Sequence, residues 1–165
     1  MPHLLRSSNP RIIYVSATFH YTGMPLQAHV SAAKASIDSL MASVALEYGP
    51  RGVTSNVVAP GGIEGTEGLA RLGSEEASER KRYAKGIPSG RVGNVKDIAD
   101  ATVFLFSEAG SYINGQVLAV DGAAWRRQGA ISVGIEAGME YPEYLLNGEF
   151  SQNLREPRKD AKAKL

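Results

Sequence analysis

Apolar residues recur along this chain in two alternating rhythms. Ile12 to Val15 (IIYV) is a short β-branched and aromatic run, bounded upstream by Asn9-Pro10 and downstream by Ser16-Ala17-Thr18. It predicts a buried parallel strand. From His29 to Tyr48 the apolar residues Val30, Ala33, Ile37, Leu40, Met41, Val44 and Tyr48 fall mostly at helical steps, and Gly49-Pro50-Arg51-Gly52 stops the run. That spacing predicts one apolar face of a long helix. Val53 to Ala59 (VTSNVVA) and Val117 to Val120 (VLAV) read as two further strands. Between them Asn94 can cap a helix that runs through Phe106, with Asp97 in its first turn. Strands separated by helices of this length imply right-handed β-α-β crossovers and a parallel sheet, an α/β fold.

Composition narrows what this alternation can be. With 165 residues, 43% hydrophobic and 21% charged, there is apolar matter for one core and about one domain. No window approaches the run of about 18 apolar residues that a membrane span needs. The absence of cysteine removes disulfides, thiolate metal sites and thiol nucleophiles together. A formal net charge of +1 gives no electrostatic case for nucleic acid.

Several short stretches, weak singly, occur in a telling order. Ile12 to Ser16 is a strand ending at a hydroxyl residue, and Ser31-Ala-Ala-Lys34-Ala-Ser-Ile37 is a helix carrying a lysine. Val53 to Gly61 is a strand that runs into a Pro-Gly loop. Ile87-Pro-Ser-Gly-Arg91-Val-Gly93 with Asp97-Ile98-Ala99 precedes a last strand, Gln116 to Asp121-Gly122. This order resembles the catalytic half of the short-chain dehydrogenase/reductase family over Arg11 to Gly122, about two thirds of the chain. The resemblance implies a Rossmann-like, doubly wound parallel sheet binding a nicotinamide cofactor.

Three strands make a poor doubly wound sheet, because parallel strands need both faces covered and come in larger sets. The family's first half supplies a strand, a Gly-x-x-x-Gly-x-Gly turn and the helix whose N-terminus holds the pyrophosphate. That spacing does not occur in this sequence, and Gly62, Gly65 and Gly68 follow the wrong strand. The expectation is therefore a fragment or truncated product: the C-terminal portion of the fold in residues 1–122, the dinucleotide-binding half missing, and an arm and tail over 123–165.

Within the family the chain is similar to the peroxisomal 2,4-dienoyl-CoA reductases. The similarity lies in Pro60-Gly-Gly-Ile-Glu-Gly-Thr66-Glu-Gly-Leu-Ala-Arg71-Leu, in Ser16-Ala-Thr18 leading to Gln27-Ala-His29, and in Val30. Other members carry a tyrosine four residues before the lysine. Reducing a ketone places a proton on oxygen, which calls for an acid of suitable pKa beside it. Reducing a conjugated dienoyl thioester sends hydride to the far end of the π system and spreads charge to the thioester oxygen, so the proton ends on carbon. Hydrogen-bond donors then stabilise the dienolate, and a valine at position 30 is tolerable.

The resemblance implies roles for named residues, each beside a plainer alternative. Lys34 would bind the nicotinamide ribose hydroxyls; taken alone it is a solvated helix lysine. It projects about 40° from Val30, beside the apolar stripe. His29 lies 13 residues after Ser16, but five helical residues turn it about 140° from Lys34, which favours a helix-start histidine over a replacement acid. Ser16 matches the catalytic hydroxyl, although a shift of one residue would put Ala17 there. Pro60, Gly61, Gly62, Ile63, Gly65 and Thr66 match the loop over the nicotinamide, or form an ordinary glycine turn. Arg71 would pair with coenzyme A phosphates, or is a surface arginine. Tyr21 could reach the acyl substrate, although the ungapped position is Phe19. Leu72 to Lys85 is densely charged and matches a mobile substrate lid, mostly a solvated helix.

After Gly122 the pattern is lost, and an arm followed by disorder is expected. The chain ends in Ala163-Lys164-Leu165, which fits a peroxisomal import address read by a receptor. Together these imply a parent NADPH-dependent 2,4-dienoyl-CoA reductase of peroxisomal β-oxidation, with a fatty acyl-CoA substrate and a homo-oligomeric assembly through the lysine helix and last strand. The residues that choose NADP over NAD would lie after the missing second strand, so NADP comes from the resemblance. Two alternatives stay open: a noncatalytic fragment or assembly partner, and a 3-oxoacyl or secondary-alcohol dehydrogenase of the same family.

Overall fold

The strands β1 (Arg11–Val15), β2 (Thr54–Pro60) and β3 (Val117–Val120) form one parallel sheet in the order β1-β2-β3. They are seen in a computed structural model that describes residues 1–24, 27–72 and 77–128. β2 lies at the centre, and Val57, Val58 and Ala59 are wholly buried. Burial on both faces explains why the strand does not alternate: Val57, Val58 and Ala59 follow one another as apolar residues, and the polar Ser55 and Asn56 before them are buried with hydrogen-bond partners. Tyr14 pairs with Val57 in register, and both face α1 (Ala28–Tyr48), where Met41, Val57 and Ala59 form a core joined by Tyr14 and Ile37.

Side chains alternate along a strand, so Arg11 lies on the face opposite Tyr14. There its guanidinium is buried and donates to Leu105 O at 3.0 Å, with Asn9 Oδ1 accepting at 2.9 Å. Leu105 belongs to α4 (Val95–Phe106), which therefore covers the second face. The strand thus begins one residue earlier than its apolar run suggests, because a buried arginine supplied with acceptors is compatible with the core. With α1 and α4 on opposite faces of strands that advance in one direction, the two connections have opposite hands. The expected right-handed crossover holds for at most one of them. The hand rule arises in tight β-α-β units, whereas the path from β2 to β3 is long and includes α2 (Glu67–Leu72) and α3 (Ala77–Lys85) as well as α4.

α4 begins as its sequence predicts. Asn94 Oδ1 accepts from Asp97 N at 3.1 Å, and Asp97 Oδ2 accepts from Asn94 N at 2.8 Å, a reciprocal capping box. Asp97 is also held by both guanidinium nitrogens of Arg91 at 2.7 Å. First this hydrogen bonding and then the bond from Asn94 N hold its carboxyl well below the usual carboxylate range. A buried amide seats β3 on β2: Asn56 Nδ2 donates to Ile113 O at 2.8 Å and Asn56 Oδ1 accepts from Gln116 N at 3.0 Å.

The apolar stripe of α1 is wider than the face it buries. Met41, Val44 and Ala45 are buried, but Leu40 and Leu46 are 52% and 81% exposed. Phe104, Phe106 and Val103 of α4 and Val15 at the end of β1 are also exposed. Among the described residues, no helix is long and apolar enough to cross a membrane.

Candidate active site

Parallel α/β sheets bind ligands outside the carboxyl ends of their strands, and most of the expected site residues gather there. β1 ends at Val15, whose carbonyl accepts from Lys34 Nζ at 2.9 Å. Lys34 lies in the second turn of α1, half-buried, with Val30 one turn before it on the same side. An ammonium has three donors, and Val15 O holds one of them. His29 is exposed. The helix starts at Ala28, early enough that the 140° turn between His29 and Lys34 applies, and the plainer reading of the histidine agrees with this placement.

Ser16 is buried; its N–H donates to Val58 O at 2.9 Å and its Oγ donates to Lys34 O at 3.4 Å. It thus joins the end of β1 to the lysine's own turn. Ala17 is also buried and carries no hydroxyl. Thr18 was not singled out in the sequence, yet its buried Oγ1 donates to Pro60 O at 3.4 Å. Hydroxyl residues directly after a strand favour such side-chain to backbone bonds, which is the signal that could have found it.

The Pro-Gly loop begins at Pro60, the last residue of β2. Gly61 N donates to Val120 O at 3.1 Å, and a Cβ at Gly61 would lie 2.6 Å from Asp121 Cβ. A Cβ at Gly62 would lie 2.5 Å from the Tyr83 hydroxyl. Burial, and then the charge of Asp121, raises the Tyr83 phenol above its ordinary value. Ile63 is buried and bridges to Gly93. Gly65 has φ of +73°, a conformation that glycine adopts without strain. Thr66 Oγ1 donates to Ile63 O at 2.7 Å and accepts from Leu69 N at 3.3 Å, so it closes the loop and caps α2. Arg71 lies in α2, but its side chain is outside the described residues.

Tyr21 ends a 3-10 turn, Thr18–Tyr21, directly after β1. Its hydroxyl donates to Asp38 Oδ2 at 2.8 Å, and His20 Nε2 meets the same oxygen at 2.9 Å. Burial, the hydrogen bond to Asp38 and the charge of Asp38 raise the Tyr21 phenol far above its usual range, so it stays a donor. In the sequence His20 belongs only to an aromatic patch with Phe19 and Tyr21 just after the strand, and Asp38 carries no signal. Asp38 follows Lys34 by one helical turn, which places it beside the same segment.

Where an arm was expected after Gly122, the described chain continues into a short helix, α5 (Ala124–Gln128). Asp121 starts it by accepting from Ala123 N and Trp125 N, each at 2.9 Å. The reason is the local capping by aspartate, which needs no apolar periodicity. Residues 129–165, with Ala163, Lys164 and Leu165, lie outside the described residues, as do 73–76 of the expected lid.

Comparison with known proteins agrees with this geometry. The family described as Enoyl-(Acyl carrier protein) reductase matches residues 1–123. The chain is 48% identical over 149 residues to a peroxisomal 2,4-dienoyl-CoA reductase of Saccharomyces cerevisiae, covering 90% of this chain and 48% of that protein. It is 46% identical over 114 residues to the peroxisomal 2,4-dienoyl-CoA reductase of Danio rerio, covering 69% of this chain and 38% of that one. Among solved structures, a gluconate 5-dehydrogenase from Burkholderia cenocepacia in complex with NADP and tartrate superposes with a TM-score of 0.67 at 30% identity. That match covers 74% of this chain and 48% of the other. The chain spans about half the length of the curated relatives it matches. With its parallel sheet, lysine helix and Pro-Gly loop, the chain belongs to the short-chain dehydrogenase/reductase family.

Proposed function

We propose that this chain provides the nicotinamide-side and acyl-side part of an NADPH-dependent 2,4-dienoyl-CoA reductase that serves peroxisomal β-oxidation of unsaturated fatty acids. The observation that carries the reading is Lys34, anchored at the end of β1 beside the Pro-Gly loop, with valine where an oxygen-protonating reductase needs its phenol. The names of the relatives support the substrate class, and an NADP-bound structural relative supports the cofactor.

The residues present fit a nicotinamide nucleotide. Lys34 has ammonium donors beyond the one on Val15 O, and it stands at the end of β1, where Ser16 N–H joins β1 to Val58 of the strand that leads into the Pro-Gly loop. When bound, NADPH supplies the hydride. Lys34 would hold the ribose hydroxyls by charge-assisted hydrogen bonds. Pro60, Gly61, Gly62, Ile63, Gly65 and Thr66 would shape the loop over the nicotinamide. Ser16 keeps Lys34's turn against β1 and, on reorientation, would donate its hydroxyl proton in a hydrogen bond to the thioester oxygen. Val30 presents no acid, in keeping with protonation at carbon. Arg71 would pair with coenzyme A phosphates, Tyr21 would lie on the acyl side, and Ala163-Lys164-Leu165 would be read by the peroxisomal import receptor. The parent would be a homo-oligomer, with residues 1–122 as its catalytic-half domain and 123–165 as arm and tail.

A second reading is a noncatalytic fragment or assembly partner of the same fold. Mixing the purified chain with NADPH and a 2,4-dienoyl-CoA, and following the diene absorbance, separates the two. Loss of the diene in step with NADPH assigns catalysis to the chain. A folded, soluble chain that leaves the diene intact assigns it the second reading.

A further inference from the structure

The segments that follow the two outer strands meet. The 3-10 turn Thr18–Tyr21 leaves β1 and α5 follows β3, yet the rings of Tyr21 and Trp125 lie 5.2 Å apart, tilted by 45°. Between β1 and β3 lies the end of β2 with Pro60 and Gly61. Asp121 stands against Gly61 and holds Trp125 N at 2.9 Å, so α5 is anchored at the Pro-Gly loop itself. Trp125 is half-buried, and the Arg126 guanidinium lies 4.2 Å from its ring centroid.

The Tyr21 ring is braced from behind. Its hydroxyl and His20 Nε2 converge on one oxygen of Asp38, with side-chain exposures of 8% for His20 and 17% for Asp38. The His20 and Tyr21 rings lie 4.0 Å apart. Since the hydroxyl of Tyr21 is spent on Asp38, what this residue offers a ligand is its ring. Asp38 is on the lysine helix, so the brace fixes the aromatic pair relative to Lys34.

We infer that Trp125, braced by Tyr21 and through it by Asp38 and His20, is the aromatic wall that selects a planar, conjugated acyl thioester over a saturated one. The inference rests on the dienoyl-CoA reading and deepens it. A 2,4-dienoyl thioester is flat over its whole conjugated system and would lie against the indole face that the Arg126 guanidinium does not cover, where offset contact between π systems adds to simple area burial. A saturated acyl chain gains the area alone. Trp125 is a specificity-determining residue on this account, and Asp38 and His20 are positioning residues that act through Tyr21.

Trp125 is the single tryptophan of this chain, so its fluorescence reports the wall without any need for turnover. The chain is titrated with a 2,4-dienoyl-CoA, the saturated acyl-CoA of equal length, and coenzyme A, in parallel with isothermal calorimetry. The expected result is that the dienoyl ligand quenches Trp125 while coenzyme A does not, and that it binds about 3- to 10-fold more tightly than the saturated ligand. Trp125→Leu should abolish that preference and Trp125→Phe should keep most of it. Asp38→Asn should shift the emission of Trp125 in the free chain and reduce the preference. Calorimetric binding of both acyl ligands with equal affinity and unchanged fluorescence would overturn the wall and leave the acyl-CoA reading standing. Binding of none of the three by a folded chain would overturn the reading of this chain as an acyl-CoA site, and the wall with it.

Discussion

Replacing Gly61 by alanine puts a methyl group 2.6 Å from Asp121 Cβ and 3.0 Å from its Cα. Both are well inside van der Waals contact, and one is backbone. The clash therefore cannot be relieved by rotating a side chain; the corner between β3 and α5 must move. That corner is also where Gly61 N donates to Val120 O at 3.1 Å and where Asp121 caps α5 through two bonds of 2.9 Å. Overpacking of this kind costs about 1–3 kcal/mol. At about 4 °C per kcal/mol for a domain of this size, Tm should fall by about 4–12 °C. Gly62→Ala is the matched control. The three atoms nearest its methyl group would all belong to the Tyr83 side chain, at 2.5 to 3.1 Å, and Tyr83 is 46% exposed and able to swing aside. It should cost less than about 1 kcal/mol. Thermal unfolding followed by circular dichroism on both variants gives the comparison. Equal Tm values for Gly61→Ala and the parent, or a larger loss for Gly62→Ala, would refute the packing described for the loop.

Other outcomes follow from the same geometry. Lys34→Gln should weaken NADPH binding by about 10- to 150-fold, the loss of charge-assisted hydrogen bonds worth about 1.5–3 kcal/mol, as read by nicotinamide fluorescence, with circular dichroism unchanged. Asn56→Ala strips partners from Ile113 O and Gln116 N, so a loss of about 2–6 kcal/mol is expected in urea unfolding. Asp97 has its folded-state pKa lowered, chiefly by Arg91. Its contribution is therefore present above the ordinary aspartate value of about 3.9 and is lost as pH falls below it. A urea midpoint that drops on acidification below about pH 4 in the parent, and drops less in Asp97→Asn, is the expected pattern.

The elements were legible because each has a local cause. β2 carries the consecutive apolar residues Val57, Val58 and Ala59 ahead of Pro60, α4 carries its own capping box, and Gly49 to Gly52 stops α1 where the pattern says. That Lys34, Ser16 and the Pro-Gly loop come together at the strand ends follows from their order along the chain, while the roles proposed for them rest on the resemblance. What could not be read was set by contacts distant in sequence. Arg11 enters β1 because Leu105 O, far along the chain, receives its guanidinium. Leu40 counts as core by periodicity, yet it is 52% exposed, and its neighbour Met41 takes the buried position. Asp38 and His20 carry no motif; only the folding of the turn after β1 back onto α1 brings them together. Trp125 was invisible for the same reason, since its partner Tyr21 follows a different strand.

On the proposed function, Lys34 without a phenol at position 30 serves reduction of a conjugated thioester and not of a ketone. That reading is tested most directly by following NADPH oxidation with the purified protein against a 2,4-dienoyl-CoA and a 3-oxoacyl-CoA of equal chain length, side by side. NADPH loss in step with the diene, and none with the 3-oxoacyl thioester, is the expected result. Turnover of the 3-oxoacyl thioester with the diene left intact would contradict it.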